Sequence, residues 1–191
     1  MTKIAVITGS VREGSFNQML ADLALSQLKE HGAKVTRIDL ASYNLPIYSA
    51  ELEANHFPPD ALRLKQVLIE QDGLLVVSPE YNGSIPPLLK NAIDWASRPT
   101  GDEGLVALTA YRSKVAAIMS ASLSPFGGLR GLMHLRQILT TVQMLVIPDQ
   151  VSVPAAHAAF DDEGRLKDEM VTSLIDITTQ RLIKVASALA A

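Results

Sequence analysis

The sequence predicts an α/β fold, a doubly wound five-stranded parallel sheet with helices on both faces. Short apolar, β-branched runs recur along the 191 residues. Stretches with helical spacing separate them. Strands that alternate with helices of about ten residues or more need crossover connections, and these wrap a parallel sheet with right-handed turns.

Ile4–Thr8 is an apolar run stopped by Gly9, as expected of a strand buried on both faces. Ser15 can N-cap a long helix in which Met19, Leu20, Leu23, Ala24, Gln27 and Leu28 recur at near-helical spacing, and Gly32 closes it. Val35–Leu40 reads as the second strand. Ala41–Pro59, rich in Pro, Asn and Tyr, reads as a loop of a length that is often functional. Ala61–Ile69 is helical. Gly73–Ser78 is the third strand, broken by Pro79. Pro86 and Pro87 suit a helix start, and Leu88–Ser97 continues that helix. It carries Trp95, expected in the core or at a dimer contact. Arg98–Arg112 is a second long connection. Val115–Ser120 is strand four, and Leu129–Thr140 a helix entered through Gly127-Gly128. Val142–Ile147 is strand five, Pro148–Asp162 a loop, and Arg165–Leu189 a final amphipathic helix.

No repeat or linker interrupts this pattern, so residues 1–191 are expected to form one domain. Five strands in this size suggest the flavodoxin-like order 2-1-3-4-5. In such sheets ligands sit beyond the carboxyl ends of the strands, at the switch point between strands one and three. That places the loops after Thr8, Ser78 and Ser120 together.

Composition excludes several classes of function. A net charge of −3 and a pI near 5.8 give no basic field for a nucleic-acid backbone. The chain has no cysteine, which removes thiolate catalysis, disulfides and Cys-ligated metals. The four histidines are scattered without ligand spacing, and Asp161-Asp162-Glu163-Gly164 is a polar turn that lacks the EF-hand pattern. No metal site is expected. Ser122 is not in a G-x-S-x-G elbow, so a hydrolase triad is unsupported. No stretch has the signal-peptide pattern or approaches the ~18 apolar residues of a membrane span. The expected location is the cytoplasm, with no membrane or nucleic-acid partner.

The first loop reads Gly9-Ser10-Val11-Arg12-Glu13-Gly14-Ser15-Phe16-Asn17. It is not a P-loop, because Ser15-Phe16 stands where Lys-Ser/Thr belongs, and it lacks G-x-G-x-x-G. What remains is a dense set of short donors: the hydroxyls of Ser10 and Ser15, the amide of Asn17 and the guanidinium of Arg12. The backbone N–H groups of the first helical turn face the same place, where the helix dipole favours an anion. A phosphomonoester would satisfy all of them. In the loop after strand three, Pro79 stiffens the chain with its C=O free, and Tyr81 offers a ring to a planar ligand. Asn82 and Gly83 offer amide donors, and Gly83 allows backbone to approach a ring closely.

Two strings then resemble the NADPH-dependent FMN reductase family, which includes chromate and quinone reductases and azoreductase-like members. They are Gly-Ser-x-Arg-x-x-Ser-x-Asn at 9–17 and Ser-Pro-Glu-Tyr-Asn-Gly-Ser-Ile-Pro…Leu-Lys-Asn-Ala-Ile-Asp-Trp at 78–95. A weaker third is Gly127-Gly128-Leu129-Arg130…Leu135-Arg136-Gln137. The resemblance implies a flavodoxin-like fold that binds FMN without a covalent bond. It implies that Ser10, Arg12, Ser15, Phe16 and Asn17 hold the phosphate and ribityl chain. Pro79, Glu80, Tyr81, Asn82 and Gly83 would hold the isoalloxazine edge and face, and Ser122 and Gly127 would contact its far side. It also implies homodimers or homotetramers whose active sites include residues of a second subunit, with Tyr81 or Glu80 serving there.

The implied activity passes electrons from NADPH or NADH, through FMN, to a small-molecule acceptor such as a quinone, chromate, an azo compound or a ferric complex. No side-chain acid or base is required, so no catalytic residue is assigned, and ping-pong kinetics are expected. Arg12 is the candidate for attracting the NADPH phosphate. The alternatives are a flavodoxin-type electron carrier and a reductase that supplies free reduced FMN to a monooxygenase. Two departures from the family pattern stand out. Pro87 occupies a position where the family often has Gly, and the Arg98–Arg112 connection is longer than usual.

Overall fold

Gly73–Val77 (GLLVV) and Val115–Ala121 (VAAIMSA) are buried along their whole length, as apolar strands must be when both faces of a sheet are covered. In a computed structural model that describes residues 1–190, they are β3 and β4. With β1 (Lys3–Thr8), β2 (Lys34–Ile38) and β5 (Leu145–Val153) they form an all-parallel sheet ordered β2-β1-β3-β4-β5. The order is the one expected.

The helices are α1 (Phe16–Glu30), α2 (Ala50–Asn55), α3 (Pro59–Ile69), α4 (Pro87–Ser97), α5 (Leu129–Thr141), α6 (Ala156–Ala159) and α7 (Glu169–Leu189). Successive strand residues point to opposite faces, so each central strand feeds two cores. Ile4, Val6, Leu75, Val77, Ala117 and Met119 pack with α1 and α7. Ala5, Ile7, Leu74, Val76, Ala116 and Ile118 pack with α3, α4 and α5. Among the described residues, no helix is long and apolar enough to cross a membrane.

Several elements differ from the sequence reading. The fifth strand, expected at Val142–Ile147, is Leu145–Val153 and runs through Pro148. Val142 instead caps α5, and Gln143 follows in a left-handed conformation (φ 69°). Pro148 is tolerated because β5 lies at the sheet edge, where a missing N–H breaks no ladder. The register with β4 also slips there, from Ala116↔Val146 to Ile118↔Gln150. Arg136 donates to the carbonyls of Val146 (3.2 Å) and Ile147 (2.8 Å), covering that irregular edge.

The second strand ends at Ile38 rather than Leu40, where Asp39 accepts the Ala41 N–H and starts a 3₁₀ turn. The last helix begins at Glu169 rather than Arg165, because Asp168 caps it through the Met170 N–H. The segment read as a loop from Ala41 to Pro59 contains α2, capped by Ser49. It is tied to α4: Trp95 Nε1 donates to the Pro46 carbonyl (2.7 Å), and Asn91 accepts from the Tyr48 N–H (2.9 Å). Trp95 is fully buried beneath Tyr48 and Phe57, which meet its ring edge-on.

The Arg98–Arg112 connection lies between the end of α4 and the start of β4, at the opposite end of the sheet from the loops after β1 and β3. Lys65 of α3 holds it from within. Its ammonium donates to the Arg98 carbonyl, Thr100 Oγ1 and Glu103.

Candidate functional site

Gly9 directly follows β1, and a Cβ there would stand 3.2 Å from Ser78 Oγ and 3.3 Å from Pro79 Cδ. That close approach seats the loop after β1 beside the loop after β3, at the topological switch point. Gly14 takes a left-handed turn (φ 66°) and delivers the chain into α1. Among the described residues, no backbone N–H from Ser10 through Asn17 donates to any protein acceptor. Ser15 occupies the N-cap without using its side chain as a cap. Ser15 is buried as a residue, and so are Ser10 and Asn17. Val11 to Gly14 are exposed, but unpaired donors at the buried positions beside a helix N-terminus are costly unless an acceptor completes them. An anion does so, and the helix dipole favours it.

Several side chains of this loop are already engaged. Asn17 forms a two-way pair with the backbone of Ala121, donating to its carbonyl (2.8 Å) and accepting its N–H (2.9 Å). It therefore fastens α1 to the end of β4, and its second amide hydrogen and its backbone N–H remain for a ligand. Arg12 donates to the carbonyls of Glu13 (3.1 Å) and Gly14 (3.4 Å), wrapping its own turn at the surface. Gln18, which the sequence reading passes over, donates to the Ser10 carbonyl (2.9 Å) and closes the loop from behind.

In the loop after β3, Tyr81 and Ser84 exchange both backbone hydrogen bonds, with Asn82 (φ 51°) and Gly83 (φ 78°) between them. This is the tight two-residue turn that Asn-Gly favours. The turn lifts Asn82 and Gly83 to its tip, away from the cleft, and leaves Tyr81 half exposed at the rim. The Pro79 carbonyl, expected to be free, accepts the Ser78 hydroxyl (3.0 Å) and keeps its second lone pair. The Glu80 carboxylate is only 6% exposed. It accepts from Arg130 Nε (2.8 Å) and from the Gly131 N–H (3.2 Å), so it caps α5 and pins the second motif to the third. Opposite charges in those two strings were the only signal for this pair in the sequence.

In the loop after β4, Ser122 accepts the Ser124 N–H and reaches the cleft. Gly127 does not. It is buried against β5, where a Cβ would meet Pro154 N at 2.8 Å and overlap Ser152 Oγ. Gly128, at φ 85°, is likewise pressed on Ser120.

Ser10, Arg12, Ser15, Phe16, Asn17, Pro79, Glu80, Tyr81 and Ser122 thus line one cleft of about 240 Å³, together with Ala121 and Leu123. Asn82, Gly83 and Gly127 lie outside it. Larger hollows exist, about 690 Å³ beside the end of β5 and about 300 Å³ between α4 and α5. Neither gathers unpaired donors at strand ends. Among the described residues, no group of three or more His, Asp or Glu is placed to hold a metal.

A parallel sheet in this order, with an anion cradle and an aromatic-rimmed cleft at its switch point, defines a flavodoxin-like cofactor-binding protein. Comparison with known proteins narrows the class. The sequence profile described as NADPH-dependent FMN reductase matches residues 2–158. An NAD(P)H-dependent FMN reductase of Pseudomonas aeruginosa is 36% identical over 181 residues, 94% of this chain and 92% of that one. A 2-hydroxy-1,4-benzoquinone reductase of a Burkholderia species is 37% identical over 164 residues, 86% of this chain and 81% of that one. The solved flavoenzyme NAD(P)H:(acceptor) oxidoreductase FerB from Paracoccus denitrificans is 27% identical with a TM-score of 0.82, covering 98% of both chains. The chain belongs to the NADPH-dependent FMN reductase family. It is an oxidoreductase that uses FMN as cofactor and a nicotinamide dinucleotide as electron donor.

Proposed function

We propose that residues 1–191 form a single FMN-binding domain that reduces quinones with NAD(P)H. The observation that carries the proposal is the run of unpaired N–H groups from Ser10 through Asn17, with the free Ser15 hydroxyl, beside the Pro79–Tyr81 wall. In this reading the cradle takes the FMN phosphate. Ser10, Ser15 and the backbone of Phe16 and Asn17 donate to it, and Arg12 adds charge at the mouth. Pro79, Glu80 and Tyr81 border the ring on one side and Ser122 on the other. Asn82 and Gly83 shape the turn that presents Tyr81, and Gly127 shapes the loop that presents Ser122.

FMN held there would supply the two-electron chemistry that links the nicotinamide to the acceptor. The protein orients the reactants and leaves one ring face open. A cleft of about 240 Å³ is smaller than the ~300–1,000 Å³ of pockets that enclose a ligand, so part of the cofactor stands clear of the wall. Donor and acceptor use that face in turn, which predicts ping-pong kinetics.

The quinone assignment is supported by the benzoquinone reductase relative and by the exposed apolar side chains of Tyr81 and Leu123 in the cleft wall. Exposed Phe126, Leu129 and Met133, on the loop after β4 and on α5, support a homodimer or homotetramer in which a second copy borders the cleft. The need for NAD(P)H supports a cytoplasmic location. The test is steady-state oxidation of NADPH and NADH by the FMN-loaded protein with 1,4-benzoquinone, and parallel initial-rate lines are expected. Oxidation without any dependence on quinone, or none at all, refutes the proposal.

A further inference from the structure

The first turn of α1 has no side-chain cap, because the Ser15 hydroxyl is left free. Its direction must be set by other means, and the aim of its N–H groups depends on that direction. Three ties fix it. Gln18 holds the Ser10 carbonyl, Asn17 holds the backbone of Ala121, and the Phe16 ring stacks on Phe160. The ring centroids are 5.7 Å apart and the planes are inclined by 19°.

We infer that Phe160 is a positioning residue for the cofactor phosphate, acting through Phe16. The inference rests on the phosphate assignment made above. Phe16 is the first residue of α1 and carries one of the unpaired N–H groups. A phenylalanine has two side-chain torsions, so holding its ring restrains its backbone. Phe160 is itself 5% exposed and held in a compact turn. It bridges to Leu166, and the intervening turn is closed by Asp161. That carboxylate accepts from the Glu163 N–H (3.0 Å), the Arg165 N–H (2.8 Å) and Arg165 Nε (2.8 Å). Gly164 of the same turn rests over Met19, one helical turn beyond Ser15. The first two ties join residues within the family match at 2–158, whereas the third comes from outside it. The turn at 160–166 therefore braces the phosphate cradle from behind, from a segment beyond the matched profile.

A hydrogen bond weakens steeply as its angle falls, so a small swing of the first turn costs phosphate affinity while leaving ring contacts intact. The test compares FMN with riboflavin, which lacks the phosphate, by titrating the apoprotein of the full chain and following flavin fluorescence. Phe160→Ala is expected to weaken FMN binding roughly tenfold and riboflavin binding by less than about twofold, with Phe160→Leu between parent and Ala. Circular dichroism checks that each variant folds, and Phe160→Leu carries the comparison where Phe160→Ala does not fold. Equal weakening of both flavins, or no weakening of either, overturns the inference. A parent protein with no preference for FMN over riboflavin refutes the phosphate assignment itself, which is a separate outcome.

Discussion

Lys65→Met tests whether a buried ion pair organises the long connection after α4. Lys65 is 1% exposed, and its three ammonium hydrogens match three acceptors, the Arg98 carbonyl, Thr100 Oγ1 and Glu103. Glu103 also accepts the Thr109 hydroxyl (2.6 Å) and the Thr100 N–H (2.9 Å). Burial alone would raise its pKa. The hydrogen bonds from Lys65, Thr109 and Thr100, with the Lys65 charge, outweigh burial and hold the carboxyl down to about 2.

Methionine keeps the packing of the lysine stem and removes only the charge and its donors. Breaking a buried pair by removing one partner costs about 3–5 kcal/mol. Glu103 is 20% exposed and retains the donors of Thr100 and Thr109, so the cost falls below that range, to about 2–3 kcal/mol. At about 2–4 °C per kcal/mol for a domain of this size, the melting temperature falls by about 4–12 °C. Adding Glu103→Gln should recover about 1 kcal/mol, because the uncompensated charge is gone.

The pH dependence has a definite sign. Glu103 is more acidic folded than unfolded, so its contribution is fully present above pH 4.5 and is lost as pH falls toward 2. The difference between parent and Lys65→Met should shrink over that interval. Urea denaturation of the flavin-free proteins measures all three effects. A Lys65→Met protein within about 0.5 kcal/mol of the parent refutes the argument. So does a double variant no more stable than the single one. Flavin affinity should be unchanged, because this pair lies at the far end of the sheet from the cleft.

Asn17→Ala removes both bonds to the Ala121 backbone and should cost about 2–3 kcal/mol as well as weakening FMN binding, read from melts and flavin titration of the same samples. Arg12→Ala, at an exposed position, should weaken FMN with a stability change of about 0.5 kcal/mol or less. Its salt dependence should flatten, and equal salt slopes for parent and variant would exclude a charge contact. Gly128→Ala must place a side chain at φ 85° against Ser120. About 1–2 kcal/mol of backbone cost plus repacking should lower the melting temperature by several degrees, and an unchanged melt would show that α5 can shift without loss. Lys114 donates to the carbonyls of Leu68 and Ile69, and burial lowers its pKa to about 8. Because the unfolded lysine holds its proton up to about 10.5, this group makes stability rise between pH 8 and 10.5. Lys114→Met should flatten that rise in denaturation curves.

The sequence by itself determined the sheet. Fully apolar runs at β1, β3 and β4 have one stable arrangement, buried on both faces, and helical stretches between them make the sheet parallel. That reasoning also located the cleft, because the switch point follows from strand order. Of the twelve residues nominated by the loop motifs and the family resemblance together, nine line that cleft, and Asn82, Gly83 and Gly127 do not. It misjudged β5, since a proline reads as a strand breaker until the strand is known to lie at an edge.

Only the tertiary structure decided what each polar group does. Asn17 and Ala121 are far apart in sequence, as are Glu80 and Arg130, and Phe16 and Phe160. Each pair is brought together by crossovers that no local pattern encodes. A donor's availability to a ligand is what remains after its protein partners are satisfied. For this reason the free Ser15 hydroxyl and the engaged Asn17 amide, two residues apart in one motif, became distinguishable only in the folded chain.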